Sequence, residues 1–238
     1  MTASIQASRA ETVTHYQMYI DGAWTDGRTP GRSEVENPAN EAVFATVPAG
    51  SVEDAHAALE AARRAQPAWA ALPPIVRAGY VQDLAAAVRR EKDHLARIVV
   101  LEQGKPLNQA EGEIDAVVTF LTFAAESARR IEGDIMPSDF PNEEVWIRRV
   151  PFGVVVGLTA WNYPAALAAR KIGPALVAGN TMVVKGHEST PLSAIEIARL
   201  ADEVGIPKGV LNVVTGDGRQ VGDALVRSPL SDMITMTG

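Results

Sequence analysis

Between Gly153 and Gly238 short apolar runs alternate four times with stretches of helical spacing. The runs are Gly153 to Leu158, Thr181 to Lys185, Val210 to Val214 and Asp232 to Met236. Runs that are apolar nearly throughout, rather than at every second residue, suit strands covered on both faces, which are parallel and joined by helices. The intervening segments carry helix punctuation. Pro164 stands at a first helical position, with Gly179 and Asn180 after Ala178. Thr190 is read as an N-cap and Pro191 as the first residue of the next helix, closed by Gly205 and Pro207; a last helix is expected from about Gln220 to Arg227. The fold class that follows is α/β, a Rossmann-like parallel sheet covered by helices.

Ligands of open parallel sheets bind beyond the carboxyl ends of the strands, where loop amides and helix N-termini converge. The chemically distinctive residues of this chain fall there. Leu158 closes the first strand, and Thr159, Trp161 and Asn162 follow it; Lys185, His187 and Glu188 mark the second, Thr215, Gly216 and Gly218 the third, Thr237 and Gly238 the fourth. An acidic residue after the second strand suits ribose hydroxyls and repels a 2′-phosphate, so Glu188 favours NAD over NADP. Lys185 suits the same ribose or a phosphate, and Gly216 with Gly218 permits close backbone approach. Singly, each signal has an ordinary reading. The spacing of Gly216, Gly218 and Gly222 is G-x-G-x-x-x-G rather than the dinucleotide fingerprint, and a lone Gly pair is a helix-entry turn. Asn162 at a strand–helix junction is alternatively a helix cap. His187 is read as a bystander. The reading rests on four loops gathering at one rim.

Upstream, MYIDGAW (Met18 to Trp24) and SEVENPA (Ser33 to Ala39) predict an N-terminal hairpin about a Gly- and Asp-rich turn. Ser51 with Asp54 forms a capping box for a helix whose Val52, Ala55, Ala58, Leu59 and Ala62 share a face, and Pro67 is expected to end it. Pro73 and Pro74 open a second helix, and Leu95, Ile98 and Val99 mark a stripe that stops before Gly104 and Pro106. Asn108 and Glu111 are read as the cap of a long helix carrying Ile114, Val117, Val118, Leu121 and Ala125. Turn residues and the alternation of EVWIRRV predict a protruding hairpin between Gly133 and Arg149. The expected organisation is residues 1–132 as an N-terminal hairpin and helical part, 133–150 as the protruding hairpin, and 151–238 as the nucleotide-binding unit.

Composition narrows the function classes. With 22 Lys and Arg against 29 Asp and Glu the formal charge is -7, so nucleic acid is not an expected partner. The first 17 residues lack an apolar core, and later apolar runs break before about 20 residues, so a cytoplasmic protein without a membrane span is expected. The 238 residues include no Cys and four scattered His, which excludes a disulfide framework, a thiolate metal site and a thiol nucleophile within them; no metal site is expected.

Several stretches carry a family wording. TAWNYP resembles the P-W-N-F/Y-P motif of the NAD(P)-dependent aldehyde dehydrogenases, VVKGHESTP their V-V-K-P-x-E-x-T-P, GVLNVVTGDG their G-V-x-N-x-V-x-G, and the closing MTG the start of their F-T-G-S. ENPANE, AQPAW, EQGKP, ARRIEGD and GPALVAGNT are similar to the family too, so the resemblance runs from MYIDGAW to Gly238. It implies that Asn162 directs its amide at the oxygen of an aldehyde adduct, that Lys185 and Glu188 hold the adenosine ribose, that the Gly216 loop lines the adenine side, and that Thr237 and Gly238 begin the turn at the pyrophosphate. Ala160 and Gly186 replace family prolines, removing rigidity rather than a contact. MYIDG, ARRIEGDIMPSD and ARKIGPAL lie nearest the lactaldehyde, glycolaldehyde and succinate-semialdehyde branch, in which Arg170 would face a substrate carboxylate. The alternative for Arg170 is a solvent-paired surface residue.

The family's chemistry needs a Cys thiolate to attack a small aldehyde and a Glu to activate water, both placed by the resemblance after T-G-S. The catalytic part is therefore absent from these 238 residues, and the chain alone is expected to be inactive. A truncated record, a fragment complemented by a second chain, and a non-catalytic NAD-binding or assembly homologue all remain open. The hairpin near Glu144 to Arg149 pairs subunits in the family, so a homo-oligomer, dimer or tetramer, is expected.

Overall fold

Parallel pairing dominates the centre of the molecule. The computed structural model describes residues 13–238. Its main sheet contains β2 (Met18–Ile20), β3 (Ala23–Thr25), β8 (Val154–Leu158), β9 (Thr181–Lys185), β10 (Leu211–Val214) and β11 (Met233–Met236) in the order β11-β8-β9-β10-β2-β3. β11, β8, β9 and β10 are parallel, and β2 adds to β10 antiparallel. Between them run α5 (Pro164–Val177), α6 (Leu192–Glu203) and α7 (Asp223–Arg227), the last entered through a π-helical turn at Gly218–Gly222. The four expected strands and three expected helices are all present, within one or two residues apart from that turn.

Side chains alternate across the sheet, and each face has its own core. Val155, Met182, Val184, Leu211 and Val213 pack toward α2 (Pro74–Arg90), α3 (Lys92–Gln103), α4 (Leu107–Glu126), α5 and α6. Val154, Val156, Val183 and Val214 pack toward Ala55, Ala58, Leu59 and Ala62 of α1 (Val52–Ala71) and Leu225 of α7. This two-sided burial is why β8, β9 and β10 read as unbroken apolar runs, whereas β11, at the edge of the sheet, carries its Met233, Ile234 and Met236 exposed.

The N-terminal pairing differs from the expected hairpin. β2 turns back at Asp21 and Gly22, whose φ values of 54° and 74° suit a two-residue hairpin turn, and pairs with β3. β4 (Arg32–Asn37) instead pairs antiparallel with β5 (Ala42–Pro48), which in turn pairs with β1 (Thr14–His15) in a separate three-stranded sheet. Buried Asn212 of β10 secures the β2–β3 turn by accepting from Asp21 N–H at 2.9 Å. The protruding hairpin forms from β6 (Asp134–Pro137) and β7 (Glu144–Ile147), exposed along both strands.

At three punctuation signals the structure departs from the expectation. Pro67 lies inside α1, which continues to Ala71; buried Trp69 donates its indole N–H to Leu176 O at 3.0 Å and holds the last turn against α5. α4 begins at Leu107 without a side-chain cap, and Asn108 Oδ1 accepts only from the adjoining Gln109 N–H. Thr190 does not cap α6; its hydroxyl oxygen is buried without a partner, and the helix amides bond elsewhere.

The β5–α1 junction touches the loop after β10 so closely that only Gly fits at position 50. A Cβ there would lie 2.1 Å from the Thr215 carbonyl oxygen. Gly50→Ala is expected to destabilise the fold by about 1–3 kcal/mol through overpacking, read as a lower midpoint in thermal or urea denaturation. An unchanged midpoint would show that the junction relaxes freely.

Candidate active-site half

The register sets the strand ends level: Leu158 lies opposite Lys185 and Met236, and Val214 opposite Lys185. The four loops therefore leave from one edge. The chain runs β8, β9, β10 to one side of β8 and returns as β11 on the other, so a topological switch point falls between β8 and β11.

A cleft of about 560 Å³ opens at this edge, lined by Leu158, Thr159, Lys185, Glu188, Gly218 and Arg219 among others. Thr159 N–H donates to Lys185 O at 3.3 Å, while its own Oγ1 is buried without a partner. Lys185 is 6% exposed, yet its ammonium meets only the adjoining Gly186 carbonyl at 3.3 Å and Glu188 at 4.0 Å. Burial pulls its pKa down, and the carboxylates of Glu188 and Asp217 offset that only in part. Glu188 Oε1 accepts from Gly218 N–H at 2.6 Å and so ties the second loop to the third. A Cβ at Gly218 would stand 3.2 Å from that oxygen; at Gly216, with φ +121°, it would meet Val221 at 2.7 Å and Gly50 O at 2.8 Å. An unpartnered buried hydroxyl, an under-coordinated buried ammonium and a glycine cradle fit a ligand with hydroxyls and phosphates.

The other expected residues are distributed around this cleft. Gly216 and His187 border a neighbouring cavity of about 430 Å³ that also touches Glu188 and Glu102, so His187 stands at both cavities rather than apart from the site. Trp161 and Asn162 are exposed on the turn beyond β8. Thr237 N–H donates to Leu158 O at 3.1 Å, and its hydroxyl accepts from Lys171 Nζ at 2.6 Å. Gly238 lies beside Ala160, which a Cβ at 238 would approach to 3.7 Å. Arg170 lies apart, bordering a separate cavity of about 330 Å³ with Arg149 and Lys171, its guanidinium 5.7 Å from the centre of the Phe120 ring.

Sequence reasoning missed the groups that hold the loops. Glu113 Oε1 accepts from Ala165 N–H at 2.9 Å and Ala166 N–H at 3.1 Å, capping α5 from α4. That task therefore does not fall to Asn162. Glu102 caps α6 from α3 in the same way, accepting from Leu192 N–H at 2.7 Å and Ser193 N–H at 2.9 Å. Lys105 joins Glu113 to the Asn162 carbonyl. The wording EQGKP contains Glu102 and Lys105, but the helix ends it marks are those of α3 and α4, not the distant starts of α5 and α6 that these groups serve, and Glu113 lies outside it.

The aldehyde dehydrogenase family model matches residues 24–238. The chain belongs to the aldehyde dehydrogenase family. It is 48% identical over 223 residues to a 3,6-anhydro-alpha-L-galactose dehydrogenase of Vibrio sp. (strain EJY3), covering 94% of this chain and 46% of that relative. It is 43% identical to the lactaldehyde dehydrogenase of Escherichia coli (strain K12), over 94% of this chain and 47% of the relative. Among solved structures, a 3,6-anhydro-L-galactose dehydrogenase in complex with NAP superposes with a TM-score of 0.92 at 46% identity, covering 94% of this chain and 47% of that one. Lactaldehyde dehydrogenase from Escherichia coli gives 0.94 at 42% identity, over 95% and 48%. The chain spans about half the length of the curated relatives it matches.

Glu102 makes the capping measurable. Burial pushes its pKa up to about 7, with Glu113 adding to the rise, although the hydrogen bonds from Ser193 and Leu192 pull the other way. The folded state then retains a proton that the unfolded chain releases, so this group's stabilisation is full below about pH 4.5 and declines until about pH 7. The loss across that window is on the order of 3 kcal/mol. The stability difference between the native chain and Glu102→Gln, from urea denaturation at pH 5 and pH 7.5, is expected to move in the variant's favour as pH rises. A difference independent of pH would show that the carboxyl is ionised throughout.

Proposed function

We propose that this chain forms the cofactor-binding half of an aldehyde dehydrogenase site, taking NAD(P) in the cleft beyond β8, β9 and β10 and presenting Asn162 to the reacting carbonyl oxygen. The observation that carries this reading is the convergence of Thr159, Lys185, Glu188 and Gly218 on one cleft, with the Thr159 hydroxyl and the Lys185 ammonium left without adequate partners. Lys185 and Glu188 suit the adenosine ribose, the Gly216–Gly218 loop the adenine side, and Thr159 and Thr237 the middle of the dinucleotide. Bound NAD(P) supplies the hydride acceptor. Asn162 donates from a turn whose helix is already capped by Glu113, which leaves its amide free for an oxyanion.

Glu188 favours NAD by repulsion of a 2′-phosphate, but it is half-exposed and turned toward Gly218, while Arg219 stands in the same cleft. Related proteins bind NAP or carry NADP(+) in their names, so either dinucleotide belongs in the proposal. The substrate is a small aldehyde of the lactaldehyde or semialdehyde type. Arg170 would serve a substrate carboxylate only if the substrate path reaches its separate cavity. Exposed Ile135, Phe140 and Trp146 on the hairpin support association with further copies. The site of action we propose is cytoplasmic; no helix among the described residues is long and apolar enough to cross a membrane.

Isothermal titration of the purified chain is expected to show binding of NAD or NADP. Lys185→Met should weaken it about tenfold to a hundredfold, the value of one charge-assisted hydrogen bond; equal affinity in the variant would refute the assignment. Glu188→Gln should raise affinity for NADP relative to NAD. With no Cys among its 238 residues, the chain alone is expected to produce no NADH from lactaldehyde, glycolaldehyde or succinate semialdehyde. Sustained absorbance growth at the NADH band would contradict this.

A further inference from the structure

We infer that Lys105 and Glu113 are positioning residues that lock the Asn162 turn; the inference rests on the reading of Asn162 as the oxyanion donor. Lys105, on the link between α3 and α4, is 8% exposed, and Glu113 of α4 is 2% exposed. The Lys105 ammonium donates to Glu113 Oε2 at 2.5 Å and to the Asn162 backbone carbonyl at 2.9 Å, and lies 3.8 Å from the centre of the exposed Tyr163 ring. The other oxygen of Glu113 takes the amides of Ala165 and Ala166. One buried ion pair therefore grips the chain on both sides of Tyr163 and Pro164, by a carbonyl before them and two amides after.

Helix capping alone does not account for this arrangement. Glu113 satisfies the α5 amides without help, whereas a buried ammonium is costly to desolvate unless every donor finds work. The one contact that Lys105 adds beyond its carboxylate and the Tyr163 ring is the Asn162 carbonyl. Asn162 is exposed and does not cap α5, so neither burial nor a cap bond immobilises the turn. An oxyanion donor works only when oriented before charge develops, since orientation during the reaction would subtract from stabilisation. Neither Lys105 nor Glu113 borders the cofactor cleft. Cofactor affinity and turn rigidity can therefore be read separately.

The test uses the 15N-labelled chain and the charge-matched variant Lys105→Met/Glu113→Gln. In it the Gln carbonyl still accepts from the α5 amides and no unpaired charge is buried. NMR order parameters at Trp161, Asn162 and Tyr163 are expected near 0.85 in the native chain and below about 0.6 in the variant, with a retained thermal transition and NAD affinity within about twofold. Lys105→Arg, which keeps a cationic donor, is expected to restore rigidity. An equally rigid turn in the double variant would overturn the inference. So would a native chain whose turn is already mobile, a measurement that needs no variant to fold. Loosening in the variant together with no NAD binding by the native chain would sink the cofactor proposal and leave the clamp standing.

Discussion

Two helices that follow central strands begin without a side chain of their own to satisfy their first amides, and both are completed by carboxylates from another layer. Glu113 serves α5 and Glu102 serves α6. A helix leaves its first N–H groups unbonded, and burying them unpaired would cost the desolvation of each. The two glutamates remove that cost and bolt the α2–α4 layer to the sheet at the edge where the loops emerge. The Asn162 turn and the Lys185–Glu188 loop are thus set by α3 and α4 as much as by the strands that precede them.

The parallel sheet was legible because its signal is local. Each strand is a single apolar run, each helix carries a nearby Pro or Gly, and burial on both faces leaves no alternative pattern for β8, β9 and β10. The gathering of Thr159, Lys185, Glu188 and Gly218 follows from topology once the strands are known to be parallel and level. The N-terminal sheets were less legible. Short strands offer little pattern by which to choose a partner, and the tight turn at Asp21–Gly22 is what folds β2 back on β3 and leaves β4 to β5.

The supporting groups were illegible for a definable reason. Glu102 meets Leu192 and Ser193 ninety or more residues away in the chain, and Glu113 meets α5 across more than fifty. A Glu within a helix reads as a solvated face, since carboxylates are seldom buried unless partnered. Likewise Thr190 has the residue type and spacing of a cap, but α6 takes its amide bonds from Glu102, and the Thr hydroxyl is left idle. Pro67 shows the same override, because the packing of Trp69 against α5 outweighs a lost helical bond.

The capping scheme also changes how an anionic cofactor can be held. Helix N-termini are ready anion sites when their amides are free, and the sequence placed two such helices at the rim. In the fold those amides already serve Glu113 and Glu102, and in the third loop Gly218 N–H serves Glu188 and Arg219 N–H serves Asp217. In the proposed site a dinucleotide's negative charge would therefore meet side chains rather than free helix amides, and the buried cation of the cleft is Lys185, whose burial depresses its pKa and strengthens the contacts that it makes. The Glu188–Gly218 and Asp217–Arg219 bonds are the exposed ones among these, so a ligand could exchange either without uncovering a buried amide, and in the proposed site it is the Glu188 carboxylate that would turn to a ribose. The proposed site thus divides into a frame closed by buried glutamates and exposed carboxylates that could change partners on cofactor binding.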